Sequence, residues 1–73
     1  MEITTFEEWR AEYPDGTRIL WYEQYLEKKW LPGVITGQRS TYGHPVLLFT
    51  LKGDGIRSAH QLSFENRKLL KKE

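Results

Sequence analysis

The sequence contains no cysteine, which excludes disulfides, thiolate nucleophiles and zinc sites with cysteine ligands. Its two histidines are isolated and have no nearby pattern of carboxylates, so we expect neither a metal nor another cofactor. No apolar run approaches the roughly 18 residues of a membrane helix. Residues 1–12 are acidic, unlike a signal peptide. These features predict a protein of the cytoplasm that does not bind membranes.

Glycine and proline are also scarce, with six and three residues among 73, which is unlike a disordered or low-complexity chain. The hydrophobic fraction of 38% and the aromatic fraction of 14% indicate one small compact domain with an aromatic-rich core. A domain of this size buries only about 60% of the surface of its unfolded chain. A homodimer formed through an uncovered strand edge or a helix face would add buried surface.

Charge is unevenly distributed along the chain. Residues 1–16 contain five acidic residues and one arginine, a net charge of −4, whereas residues 17–73 contain ten basic and five acidic residues, a net charge of +5. We call residues 1–16 the acidic head and residues 17–73 the basic body. The positive charge of the basic body predicts an anionic partner, either nucleic acid or an acidic protein. Ordinary solvated surface charge is the alternative interpretation. The acidic head could also fold back onto the basic body and compete with its ligand.

The first segment predicts a short amphipathic helix. Thr5 and Glu8 have the spacing of a capping box, which satisfies free backbone N–H groups at a helix start. The residues from Pro14 to Gly16 then end the helix in a turn. An aromatic stripe lies along one side, and it either packs on the core of the domain or serves as an exposed anchor for a partner. The stripe consists of Phe6, Trp9 and Tyr13.

After the turn the hydrophobic pattern changes to alternation, which is typical of strands, and residues 46–51 are apolar on both faces, which indicates a central strand. The predicted strands are residues 17–22, 30–37, 46–51 and 56–62, with a loop over 38–45 and a hairpin turn over 52–55. The tail allows two interpretations. Ser63 could cap a two-turn helix, or residues 63–67 form a 3₁₀ turn before a strand over 68–71. We favour the second, because a fifth strand would close a barrel and remove exposed edges.

Three fragments resemble the small SH3-like barrels, and most of all Tudor or Agenet domains. They are Gly16-Thr17-Arg18-Ile19, Trp30-Leu31-Pro32-Gly33-Val34-Ile35 and Phe49-Thr50-Leu51-Lys52-Gly53-Asp54-Gly55. The likeness covers residues 16–71. It implies a mainly β fold, with a five-stranded barrel over residues 15–73 preceded by the acidic helix over residues 1–14.

The resemblance to Tudor domains implies an aromatic cage that holds a methylated lysine or arginine by cation–π attraction. Glu23 and Asp54 are the acidic residues near such a cage. In a domain this small, Trp30 and Phe49 could instead fill the core. Tyr22 and Tyr42 are therefore the better binding candidates. The residues that match the regions of the cage are Trp21, Tyr22, Trp30, Tyr42 and Phe49.

Catalysis is not predicted by any motif. Ser58 and His60 share one strand face, but no acid is placed to orient the imidazole as nucleophilic catalysis needs. The paired carboxylates Glu7 and Glu8 lie at an exposed helix start, which does not suit general acid–base catalysis. The glycines do not form a phosphate-binding loop. We therefore expect a protein that is not an enzyme.

The sequence predicts a non-catalytic interaction module, a small adaptor or inhibitor that binds a protein partner. Its small size also fits a phage or mobile-element factor. The predicted contacts with a protein are Phe6, Trp9, Tyr13, Tyr22 and Tyr42. The alternative is a regulatory protein that binds nucleic acid through a basic loop and a basic C-terminal patch. Its contacts would be Arg39, Arg57, Arg67, Lys68, Lys71 and Lys72.

Overall fold

The computed structural model of the chain describes residues 3–41, 43–53 and 59–73. Helix α1 is followed by five strands, and a 3₁₀ helix separates the last two strands. The elements are α1 (Phe6–Glu12), β1 (Arg18–Glu23), β2 (Lys29–Thr41), β3 (His44–Leu51), β4 (His60–Ser63), the 3₁₀ helix (Phe64–Leu69) and β5 (Leu70–Lys72). The prediction of a mainly β fold with a short N-terminal helix is therefore confirmed.

The five strands form one antiparallel sheet in the order β4-β3-β2-β1-β5. Strands β1 to β4 pair with their neighbours in sequence, and β5 crosses to pair with β1. The predicted closed barrel is not found, because in the described part of the chain β4 and β5 remain the two edges of the sheet. Strand β5 is only three residues long, and its pairing is with β1.

Some predicted boundaries are wrong. Residues 38–45 were expected to be a loop, but β2 continues to Thr41, and β3 begins at His44. Strand β2 stays paired with β3 throughout this stretch, across a bulge between Ile35 and Gly37. The predicted strand over 56–62 and the turn over 52–55 lie partly outside the described residues. The tail forms a 3₁₀ helix and then a strand, so the order of elements in the favoured interpretation is confirmed. The predicted bounds are wrong, because the strand begins at Leu70 rather than at residue 68, and it does not close a barrel.

Helix α1 packs its aromatic stripe against the core. The Thr5 hydroxyl caps the helix by accepting the backbone N–H of Glu8 (3.2 Å), as the spacing predicted. The Trp9 side chain is only 1% exposed, and Tyr13 is buried with it. Phe6 is partly buried against the same cluster. Because Trp9 and Tyr13 present so little surface, the interpretation of the stripe as an exposed anchor does not fit the structure.

The core lies on the inner face of the sheet, under α1 and the 3₁₀ helix. Trp9 meets Phe64 of the 3₁₀ helix edge to face, with ring centroids 5.7 Å apart. The buried side chains that strands contribute to this core are Ile19, Ile35, Leu47, Phe49, Leu62 and Leu70. Because side chains alternate along a strand, their neighbours in sequence point to the opposite, outward face.

Candidate binding surface

The outward side of strands β1 and β2 carries a cross-strand aromatic pair. Tyr22 lies directly opposite Trp30 in the register of the two strands. Their ring centroids are 5.4 Å apart and their planes make an angle of 66°, an edge-to-face contact. Both side chains are only partly buried. The pair therefore offers aromatic surface to a ligand without belonging to the core.

A lysine covers part of this aromatic pair. Leu20 of β1 lies between two cross-strand partners, Lys71 of β5 on one side and Pro32 of β2 on the other. The Lys71 Nζ is 4.2 Å from the centroid of the Trp30 ring, within the range of a cation–π contact. We call the surface around the pair the outward face. It consists of Arg18, Leu20, Tyr22, Trp30, Pro32, Val34, Thr50 and Lys71.

An open groove extends the outward face away from the aromatic pair. Its volume is about 440 Å³. Pro32 is common to the groove and to the surroundings of Trp30, so the two features are continuous. The lining residues are Arg18, Pro32, Gly33, Val34, Thr50, Leu51, Lys52 and Glu73. The groove thus combines apolar walls with two cationic side chains and one carboxylate.

The predicted basic residues that the structure describes do not form one patch. Lys71 and Lys72 point to opposite faces, because they are neighbours on a strand. The Lys72 Nζ donates to the Glu12 carboxylate (3.1 Å) and lies 5.8 Å from the Tyr13 ring. Burial raises the pKa of the Tyr13 hydroxyl, and the charge of Lys72 opposes that rise. One contact therefore joins the acidic head to the basic body.

The remaining predicted cations lie elsewhere. Arg67 is on the 3₁₀ helix, where its guanidinium lies over the Phe64 ring at 4.1 Å. Lys68 is exposed on the same helix. Arg39 is exposed on β2 beyond the bulge, opposite Val46. Arg57 lies outside the described residues, as does Tyr42 of the protein-binding set.

Tyr42 of the predicted cage lies outside the described residues, and the other four aromatic residues do not come together. Trp21 and Phe49 point to the inner face, with ring centroids 5.6 Å apart, and His60 packs on both rings. Tyr22 and Trp30 lie on the outward face, and the cation on Trp30 is the chain's own Lys71. Asp54 lies outside the described residues. This arrangement does not fit a cage for a methylated lysine.

The turn between β1 and β2 is held by one side chain. The carboxylate of Glu23 accepts hydrogen bonds from the backbone N–H groups of Tyr25 (2.7 Å), Leu26 (2.8 Å) and Glu27. Lys28 then takes a positive φ of 51°. The turn presents Tyr25 and Leu26 to solvent, with 78% and 89% of their surface exposed. The polar stretch over residues 23–29 indicates such a turn between two strands, and the structure confirms it. The cap by Glu23 was not predicted, and its signal is an acidic residue at a strand end before a polar turn.

We expect the Glu23 carboxyl to titrate below a free glutamate. The N–H of Glu27, then that of Tyr25, stabilise the ionised form and lower the pKa. This stabilisation is therefore present above the pKa of the unfolded chain and is lost as pH falls through the lowered pKa of the folded state. A carboxyl-detected NMR titration measures this pKa. The amide shifts of the turn should follow the same titration, and in Glu23→Gln they should not. If the Glu23 carboxyl titrated with the pKa of a free glutamate, its hydrogen bonds to the N–H groups of the turn would be refuted.

In residues 3–41, 43–53 and 59–73, no group of three or more His, Cys, Asp or Glu side chains could hold a metal ion. No helix in this part of the chain is long and apolar enough to cross a membrane. Ser58, the candidate nucleophile beside His60, lies outside the described residues.

Comparisons of the chain with protein-family models, with curated proteins and with solved structures find no match. The resemblance to small SH3-like barrels therefore stays a prediction.

Proposed function

We propose that this protein is a non-catalytic interaction module, an adaptor or inhibitor, that binds a protein partner through its outward face. The observation that carries the proposal is the Tyr22–Trp30 pair, which is partly exposed on the side of the sheet away from the core. Tyrosine and tryptophan are enriched among the residues that dominate binding energy in protein interfaces. Leu20 and Pro32 extend the pair with aliphatic surface. This composition suits a protein ligand.

We also propose that the fold is a variant of the small SH3-like barrel. Two features support this. A 3₁₀ helix precedes the last strand, and that strand pairs with β1 rather than with its neighbour in sequence. The open edges of the sheet distinguish the variant from a closed barrel. Such folds serve many unrelated functions, so the function is argued from the surface and not from the fold.

Partner capture with matched variants tests the proposed function. The bait proteins are the wild type, Trp30→Ala and Glu65→Ala, incubated with nuclease-treated extract of the source cells. Glu65 is exposed on the 3₁₀ helix and serves as the control position. We expect a protein that the wild type and Glu65→Ala retain equally and that Trp30→Ala retains at least about tenfold less, as for a hot-spot residue. Equal retention by all three baits would refute the proposal.

Nucleic-acid binding is the second candidate, and one observation favours it. An exposed aromatic pair with a lysine over one ring is the kind of platform on which unpaired bases stack. The separation of the basic residues argues against a long phosphate track. Titration with an oligo-dT strand at about 50 and about 200 mM salt separates the candidates, because phosphate contacts weaken steeply with salt. Tight, salt-sensitive binding that Trp30→Ala abolishes would replace the proposal of a protein partner.

A further inference from the structure

We infer that the outward face takes an extended, acidic segment of its partner, in which carboxylates alternate with apolar side chains. This inference rests on the proposed function and specifies the chemistry of the ligand. The segment would lie along the groove, with an apolar side chain on the Tyr22–Trp30 pair and carboxylates near Arg18, Lys52 and Lys71.

The shape of the surface suits an extended chain. Trp30, Pro32 and Val34 occupy successive outward positions of one strand, and Pro32 and Val34 also line the groove. The stretch from Trp30 to Val34 is about 13 Å long at the usual rise of roughly 3.3 Å per residue. That length matches about four residues of an extended ligand. Apolar surface is present along the whole path, so the ligand needs apolar side chains as well as charge.

The charges on this surface favour an anionic ligand. Arg18 and Lys71 of the outward face are both cationic, and the acidic residue Glu73 lies beside Arg18, to whose carbonyl oxygen its backbone N–H donates (3.2 Å). Lys52 and Arg18 line the groove together with a single acidic residue, Glu73. Within residues 3–41, 43–53 and 59–73, none of these three cations forms an ion pair. An incoming carboxylate would therefore meet cations that are not already neutralised, and Arg18 can hold it with two parallel hydrogen bonds.

The acidic side chains of the chain are concentrated elsewhere. Glu7, Glu8 and Glu12 belong to α1, which packs over the inner face of the sheet. Asp15 is paired with Arg10 beside that helix. Arg10 and Lys72 neutralise two of these carboxylates, and Arg67 and Lys68 of the 3₁₀ helix lie on the same side. The charges of the helix side therefore nearly cancel, whereas the outward face keeps an excess of positive charge. Electrostatic attraction orients an acidic partner toward the outward face before contact is made.

The aliphatic side chains of the outward face favour an acidic protein over a nucleic acid as its ligand. Leu20, Pro32 and Val34 separate the cations from one another and offer no hydrogen-bond donors to phosphates. Interfaces with nucleic acids are more polar and more positively charged than this surface. A polypeptide can alternate carboxylates with apolar side chains along its length. It therefore matches both parts of the surface.

A random-peptide display library is the probe for this inference. Selection on the immobilised full chain should enrich peptides in which Asp or Glu alternates with apolar residues. The strongest peptide is then synthesised and titrated into four proteins, the wild type, Arg18→Glu, Lys71→Glu and Lys68→Glu. Each reversal on the outward face should weaken binding about five- to tenfold, by loss of one attraction and gain of one repulsion. Lys68 is exposed on the 3₁₀ helix, so its reversal is the matched control and should leave the affinity unchanged.

Amide shifts and melting curves complete the test. The peptide should shift the amides of β1, β2 and β5 and leave those of α1 in place, and the melting curves should show that all four proteins are folded at the temperature of the titration. Enrichment of basic or uncharged peptides, or equal affinity of the four proteins, would overturn the inference. Competition by oligo-dT for the same amides, with no peptide enriched, would assign the face to nucleic acid. If Trp30→Ala loses the captured partner while Arg18→Glu and Lys71→Glu retain it, the proposed function stands and only the acidic ligand is refuted.

Discussion

Replacing Trp9 with alanine is expected to leave most of the chain unfolded. The indole is 1% exposed and makes edge-to-face contacts with Phe6, Tyr13 and Phe64, at centroid distances of 5.9, 6.3 and 5.7 Å. It thereby joins α1 to the 3₁₀ helix. Truncation of a buried tryptophan to alanine costs about 3–5 kcal/mol. A core of this size supplies a total stability of only about 3–5 kcal/mol, so the loss is comparable to the whole.

Urea denaturation followed by circular dichroism measures this effect. Glu7→Ala is the control, because Glu7 is an exposed residue of the same helix and its loss leaves the core intact. A chain that lacks residues 1–14 should lose at least as much stability as Trp9→Ala, since it loses Tyr13 from the core as well. Wild-type stability of either altered chain would show that the helix does not contribute to the core.

Replacing Gly33 with alanine is expected to destabilise the sheet by about 1–3 kcal/mol, the usual cost of overpacking. A Cβ at this position would lie 2.5 Å from the backbone carbonyl oxygen of Thr50. It would also lie 3.2 Å from the Leu51 side chain and 3.3 Å from that of Ile19. Side chains can turn away, but the carbonyl oxygen belongs to the paired strand β3 and can move only if the two strands separate.

Gly37→Ala is the matched control for this prediction. Gly37 lies on the same strand, and the nearest atom to its added Cβ would be the Leu48 Cδ1 at 3.9 Å, an ordinary contact. Thermal melting of both variants beside the wild type measures the difference. We expect a clearly lower melting temperature for Gly33→Ala and a value near wild type for Gly37→Ala. Equal melting temperatures would mean that β2 and β3 are not packed as closely as described.

Local signals predicted several parts of the fold. The capping residue Thr5 and the spacing of the aromatic stripe predicted α1 and the face that it buries. The alternation of apolar residues predicted β1, and a short run of residues that is apolar on both faces predicted β3. The second half of β2 was missed, because Gln38, Arg39 and Ser40 are polar on both faces and carry no hydrophobic period. Their pairing with β3 supplies the strand conformation, and that contact is not visible in local sequence.

The binding surface was less accessible to sequence analysis. Tyr22 and Lys71 are both binding candidates from the sequence, but the position of Lys71 over the Trp30 ring depends on the register of β5 against β1. A shift of one residue would exchange the faces of Lys71 and Lys72, and no local pattern sets that register. The aromatic cage failed for a related reason. Trp21 and Tyr22 are neighbours on a strand, so their side chains cannot line the same cavity.

The crossing of β5 to β1 also has a kinetic consequence. Strand β1 can pair early with β2, its neighbour in sequence. Its other edge pairs with β5, which lies at residues 70–72 and can join only after the rest of the chain has been brought together. The contact between Glu12 and Lys72 alone spans 60 positions. Loops of that length close slowly, so a partly folded chain exposes the unpaired backbone N–H and C=O groups along one edge of β1. Arg18 and Glu23 lie at the two ends of this strand, where charges discourage pairing with another molecule. These two charged residues protect β1 from aggregation until β5 has paired with it.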